Sequence, residues 1–270
     1  MTFFRRTLTW LALAVLCAGT ARGAGPSYSA AGIVNVPNYS AGPFAPGSVI
    51  AVFGTGLARS KYELADSDLV ACTSRLGARC LPLELNYVRV YVQDQPVPLL
   101  YVSEKQINFL MSTAETAGPV KVRVVTEGQT GPYVTVTLAD AAPALFSNPL
   151  AGGYVIAQDA KGNLLTPDAP AHAGDTVVVY VTGLGRTSPN TAVGEIPNYA
   201  ASMLAFTSLK VTLNGTAVDP ALIKYAGVTP GSAGLYQINL YLPDGTGDDP
   251  EIQVTAGNLP AQTGLKLPLR

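Results

Sequence analysis

Gln106-Ile107-Asn108 stands in EKQINFLMS (residues 104–112), and the same three residues return as Gln237-Ile238-Asn239 in GLYQINLYLP (residues 234–243). Each triplet opens an alternating apolar run. In an extended chain Ile107, Phe109 and Met111 fall on one side, as do Tyr236, Ile238, Leu240 and Leu242, while the four amides point the other way. A period of two is the signature of a β-strand with one buried face. The amides are read as structural, satisfying backbone groups where a loop crosses or two units meet. The alternative gives them to a sugar or peptide ligand.

Aligning the triplets brings the flanking sequence into register. APGSVIAVFGTGLA (45–58) matches HAGDTVVVYVTGLG (172–185), which sets Gly56 against Gly183 at the end of a valine-rich strand. VRVYVQDQPVP (88–98) answers LKVTLNGTAVDP (209–220), and VKVRVVTEGQTGPYVTVTLAD (120–140) answers EIQVTAGNLPAQTGLKLPLR (251–270). Elements repeated in the same order indicate a duplicated unit. Two units follow, over 28–145 and 146–270. Val, Thr and Tyr fill the strands, Gly and Pro punctuate them, and Asn214-Gly215 is a strong hairpin signal because both residues tolerate positive φ. Long helical periodicity is absent; 139–145 and 199–206 read as turns or one brief helix. The expectation is an all-β chain of two tandem immunoglobulin-like β-sandwich domains related by internal duplication. The connections 58–85 and 185–208 occupy equivalent places and are long for this class, so each is either a decoration packed on a sheet or a binding loop.

Composition narrows the function. Of 270 residues, 48% are hydrophobic and 13% charged, which supplies material for cores and argues against disorder. Residues 1–23 carry Arg5 and Arg6, then an apolar stretch from Leu8 to Ala18, then small residues, and read as a secretory signal peptide. Cys17 as a lipidation site is disfavoured by Val15-Leu16 in front of it, and no later apolar run reaches membrane-spanning length. Cleavage after Gly23 lowers the basic residues from 17 to 14 against 18 acidic ones, a formal charge of −4, which offers nucleic acid no platform. In an exported chain the remaining pair, Cys72 and Cys80, reads as a disulfide stapling a long connection.

Chemistry-bearing residues are sparse. His172 is the single histidine and sits at a turn entering a strand, without a recognisable Ser/His/Asp set. Gly56 and Gly183 read as strand-end turns, since neither surrounding string completes a dinucleotide fingerprint. Asp244, Asp248, Asp249 and Glu251 in DGTGDDPE are calcium candidates, although their spacing fits no EF-hand; no other cofactor is implied. Tyrosines such as Tyr39, Tyr91 and Tyr101 suit either interfaces or the covering of a core.

The strings GIVNVPNYSAGPFAPGSVIAVFGTGLA, PLLYVSEKQINFLMS, VVVYVTGLGRTSP, VTLNGTAVDP and GLYQINLYLPDG together resemble an uncharacterised domain family of Solibacter-type Acidobacteria, often the C-terminal part of large exported proteins. The likeness covers residues 32–270. It departs at Val36-Pro37, at Glu104-Lys105 and in the Cys72/Cys80 insertion, all matters of loop shape. The APGSVIAVFGTGL segment is also similar to the opening strand of IPT/TIG immunoglobulin-like domains. The resemblance implies exported modules with no catalytic residues to carry over. The resulting expectation is a secreted, non-catalytic structural or adhesive protein of the cell envelope or matrix, with a surface protein or polysaccharide as partner. The alternatives are a carbohydrate-binding module, with or without calcium, and an Asp/Glu-based glycoside hydrolase.

Overall fold

The computed structural model of the chain describes residues 25–148 and 152–270. The expected signal peptide over residues 1–23 lies outside them. The first unit carries β1 (Ser27–Asn35), β2 (Val49–Thr55), β3 (Tyr62–Glu63), β4 (Val70–Ala71), β5 (Arg79–Cys80) and β6 (Val88–Val92). Next come β7 (Gln95–Val97), β8 (Leu99–Val102), β9 (Gln106–Leu110), β10 (Gly118–Thr126), β11 (Gln129–Thr130) and β12 (Val134–Leu138). One sheet is ordered β1-β2-β9-β8-β3 and the sheet facing it β11-β10-β6-β7, with β12 also paired to β10.

The second unit repeats the plan. It carries β13 (Ala144–Leu145), β14 (Ser147–Asn148), β15 (Tyr154–Val155), β16 (Ala157–Asp159), β17 (Thr176–Thr182), β18 (Thr187–Ser188) and β19 (Glu195–Ile196). After these run β20 (Ala201–Met203), β21 (Lys210–Leu213), β22 (Thr216–Ala217), β23 (Ile223–Val228), β24 (Tyr236–Tyr241), β25 (Ile252–Ala256) and β26 (Leu259–Pro260). Its sheets are ordered β13-β17-β24-β23-β20-β18, with β16 on β17, and β22-β21-β25-β26. The chain is thus all-β, two immunoglobulin-like sandwiches in tandem.

The duplication is visible in the register. Val52 pairs with Ile107 in the first copy and Val179 with Ile238 in the second, so both QIN strands sit at the same height between the same neighbours. On the opposite edge each strand meets an irregularity at the equivalent place, between Leu99 and Tyr101 and between Ile223 and Tyr225. This leaves Tyr101 opposite Asn108 and Tyr225 opposite Asn239. A bulge at one site in both copies is a heritable feature of the strand pair. The facing sheets agree as well, with Val90 against Val124 and Val211 against Val254.

Alternation accounts for the cores. Ile33, Ile50, Val52, Ile107 and Phe109 of one sheet close on Val88, Val90, Val92, Val122 and Val124 of the other. In the second unit Val177, Val179, Val181, Ile238 and Leu240 close on Val211, Leu213, Ile252 and Val254. The two sets form separate clusters. The β21–β22 hairpin turns through Asn214 and Gly215 at φ 48° and 78°, as expected of that dipeptide. The β6–β7 hairpin makes the same kind of turn with Gln93 and Asp94 at φ 49° and 61°.

One expectation is corrected. Residues 199–206 contain β20 in place of a brief helix, because Ala201 pairs with Val228 on the edge of the second sandwich and buries Ala201 and Met203 on its inner side. Only Phe206–Ser208 beyond it coils into a 3-10 turn. Residues 139–145 likewise end in β13, paired with β17. Ile107 and Ile238 are essentially unexposed at the centre of their cores. Ile107→Ala and Ile238→Ala are each expected to cost about 2 to 5 kcal/mol, to be measured by urea denaturation of each variant.

Candidate functional site

The outer faces of β9 and β24 show what the repeated amides do. Gln106 Nε2 donates to Asn108 Oδ1 at 2.9 Å, and Gln237 Nε2 donates to Asn239 Oδ1 at 2.7 Å. Residues two apart on a strand share a face, so each amide pair closes on itself. This corrects the expectation of bonds to neighbouring backbone: the same side-chain pair forms in both copies and needs no crossing loop. Gly56 and Gly183 end equivalent strands at φ 64° and 78°, a region that favours glycine.

The second copy turns this strand end into a joint. Thr182, fully buried, accepts from the Val49 amide of the first unit at 3.3 Å and donates to the Gly234 carbonyl at 2.8 Å. Tyr236 is buried beside it and donates its hydroxyl to the Gly185 carbonyl at 2.8 Å. The ring tip lies against Gly47 of the first unit so closely that a Cβ there would run into the phenol oxygen. Gly234 is pressed in the same way onto Leu110 and Val49. The phenol is pushed well above its ordinary pKa, first by burial and then by Tyr225 nearby.

A second seam is made by the two long connections, which meet each other. β5 pairs with β19 and β4, setting Cys80 opposite both Glu195 and Val70, and the Leu81 amide donates to the Gly194 carbonyl at 2.8 Å. The Cys72–Cys80 disulfide, with Cα atoms 5.2 Å apart, staples the first-unit half of this sheet. Glu195 anchors the other half with its side chain only 2% exposed. Its Oε1 accepts from the Tyr199 hydroxyl at 3.1 Å and faces Arg75 Nε at 3.3 Å, while Oε2 accepts from the Ala192 amide at 3.0 Å. The Arg75 guanidinium also stacks 4.3 Å above the Tyr199 ring. Burial, then the bond to Glu195, raises the Tyr199 phenol pKa. Two further cross-unit bonds run from Arg186 Nη2 to the Glu115 carbonyl at 2.7 Å and from Thr113 Oγ1 to the Thr191 carbonyl at 3.2 Å.

The acidic cluster is spread over separate partners. Arg270 Nη1 lies 3.2 Å from Asp249 Oδ2 and 4.0 Å from Asp248, and Glu251 Oε1 accepts from the Gly264 amide at 2.7 Å. Asp244 stands apart, near Asn214 and Val218. Among the described residues no three His, Cys, Asp or Glu side chains form a group able to hold a metal ion. His172 is exposed, and its backbone amide donates to Asp175 Oδ2 at 2.8 Å in the turn before β17.

One surface feature was not legible in the linear sequence. Arg123, opposite Tyr91 in the β6–β10 register, places its guanidinium 5.1 Å from the Tyr91 ring and 4.7 Å from the Tyr133 ring. Asp94 accepts from both Tyr133 Oη and Arg123 Nη2. Outward positions alternating with the valines of β6 and β10 were the available signal.

No protein-family model and no curated protein matches the chain. Among solved structures, it is similar to SGBP-B of the Bacteroides ovatus mixed-linkage glucan utilization locus, in complex with a mixed-linkage heptasaccharide. That likeness has 10% identity and a TM-score of 0.33 over 90% of this chain and 47% of the other. It is similar to a surface glycan-binding protein of Prevotella bryantii at 11% identity and a TM-score of 0.26, over 89% of this chain and 41% of the other. A titin A168–A169 fragment aligns at 9% identity and a TM-score of 0.24, over 91% and 94% of the two chains. The chain spans about half the length of the glycan-binding structures it matches.

Tyr236 provides a pH test of the joint. A phenol titrates near 10 in the unfolded chain and higher in the fold, so its contribution is intact below about pH 10 and is lost as pH rises further, when unfolding releases a proton the fold retains. The urea midpoint should therefore fall between about pH 9 and 11. Tyr236→Phe should make that fall shallower while costing about 1 kcal/mol at neutral pH through the lost bond to Gly185, as read from denaturation curves across the range.

Proposed function

We propose that this chain is an exported, non-catalytic protein of the cell envelope or matrix that holds two interaction modules in a fixed mutual orientation. The joint carries the reading. Modules on one chain reorient by default unless a substantial interface holds them. Here a bond to a buried threonine, the packing of a buried tyrosine on Gly47 and a shared three-strand sheet all cross the boundary. Such a joint suits a protein whose surfaces act together on an extended partner, a polysaccharide or another surface protein.

Export is supported by the Cys72–Cys80 bond, since disulfides persist in oxidising compartments. It is further supported by the resemblance of residues 32–270 to exported Solibacter-type modules. Among the described residues no helix is long and apolar enough to cross a membrane.

Residual dipolar couplings of the weakly aligned protein test the fixed orientation. One alignment tensor is expected to fit the amides of both units; two tensors of unequal magnitude would refute it. Replacing both cysteines with serine should cost about 2 to 3 kcal/mol, from the freed loop entropy of the unfolded chain, and should shift cross-seam amide resonances at Leu81 and Gly194 first.

A further inference from the structure

Along the joint, on a side formed by the loop after β1, the start of the second unit and the segment around β26, two hollows run together. One, of about 270 Å³, is lined by Asn35, Asn38, Ser40, Pro43, Pro260 and Gln262 among others. The next, of about 390 Å³, is lined by Pro37, Tyr39, Phe146 and Leu265, and it shares Asn38 and Gln262 with the first. Together they reach the size of a small-ligand site, and they lie at a boundary between units, where such sites concentrate.

The chemistry of this groove is distinctive. Among the described residues no Asp, Glu, Lys, Arg or His contributes to the lining of either hollow. Its polar groups are amides and hydroxyls, and its apolar ones are proline, phenylalanine and tyrosine together with aliphatic residues such as Val36, Leu259 and Leu265. An ionic ligand would leave water here for no compensating charge, whereas an uncharged, hydroxyl-rich one exchanges hydrogen bonds with amides in kind.

Two observations point to an occupant. Asn35 is only 2% exposed, yet its Oδ1 has no hydrogen-bond partner. A buried acceptor left unpaired costs about 1 to 3 kcal/mol, and because this oxygen is itself closed off from solvent, a donor in the groove would reach it only after a small shift of the side chain. Tyr39 is the opposite case, a large ring left 67% exposed. It is held at φ 54°, with its amide bonded to the Asn35 carbonyl and its ring centroid 6.2 Å from that of Phe53. A fixed, bare aromatic face beside neutral amides suits the C–H face of a pyranose, and the amides suit its hydroxyls.

We propose that this groove binds an uncharged oligosaccharide segment, with the Tyr39 ring as its stacking platform and the side-chain amide of Asn38, whose Oδ1 accepts from the Ser40 amide at 3.0 Å, donating to its hydroxyls. The site takes residues 35–43 and 142–143 from one unit and 146–147 and 259–265 from the other, so the proposal rests on the fixed joint inferred above. A neutral peptide is the competing occupant.

Calorimetric titration of the purified exported protein tests it. The probes are neutral hexasaccharides (gluco-, manno- and xylo-), with hexagalacturonate as the charged control and a proline-rich neutral peptide as the rival. The expected result is saturable binding of at least one neutral hexasaccharide and none of hexagalacturonate. Tyr39→Ala should weaken that binding about tenfold or more without moving the melting temperature, because the ring is exposed. Asn38→Ala should also weaken it, which keeps the test independent of Asn35, whose buried position couples it to folding. Silence from all neutral hexasaccharides, binding untouched by Tyr39→Ala, or binding of the peptide alone would overturn the proposal. If the sugars fail while a single alignment tensor still fits both units, the groove assignment falls and the fixed joint stands.

Discussion

Each sandwich depends on one strand paired on both edges, β9 in the first unit and β24 in the second. Its inner residues, Ile107 and Phe109 or Ile238 and Leu240, must leave water together with the valines of the strands beside and facing them. A slip of one residue would turn every one of them to the outside. The Gln-x-Asn pair on the outer face adds no burial. It gives that face a local hydrogen bond that forms only when the strand is extended, so local and long-range preferences agree on one register.

Duplication explains the units, and divergence explains the joint. Thr55 and Thr182 are the same residue at the same place in the repeat, but Thr55 is exposed while Thr182 is fully buried between Val49 and Gly234. The residue before each QIN has changed outright: Lys105 is exposed in the first copy, and Tyr236 plugs the boundary in the second. Gly47 and Gly234 complete the fit by their lack of a Cβ. A few substitutions at one end of a strand thus converted a free module edge into a socket.

What could be read from the chain alone follows the range of the interactions. Strand faces, the Asn214-Gly215 turn and the cysteine pair depend on residues near in sequence, and periodicity or spacing exposes them. The meeting of the two long connections does not, because β5 and β19 are two residues each and carry no alternation to recognise. For the same reason Glu195 gave no sign that it would be buried under Arg75 and Tyr199. Alternation puts the amide pairs on the outer face but does not name their partners, since it specifies a side and says nothing of what stands there. Asn35 and Tyr39 are close in sequence, but nothing in the spacing of the two marks them as a pair. Their significance arises only when residues 259–265 are folded against them.

The groove and the joint are linked by geometry. A hollow built from two units keeps its shape only as well as they keep their orientation, and a weak ligand gains most from a site that requires no ordering on binding. The bond from Val49 to Thr182, the packing of Tyr236 on Gly47 and the stapled sheet at Cys80 and Glu195 restrict that motion at two seams, where one would leave a hinge. Two connections long enough to be binding loops brace each other. The proposed groove is walled on one side by the short, tightly turned loop at 35–40, whose backbone is fixed by bonds from Asn35 to Ser40 and from Tyr39 to Asn35. In this arrangement the extra chain length supplies rigidity, and a groove shared by two units depends on it.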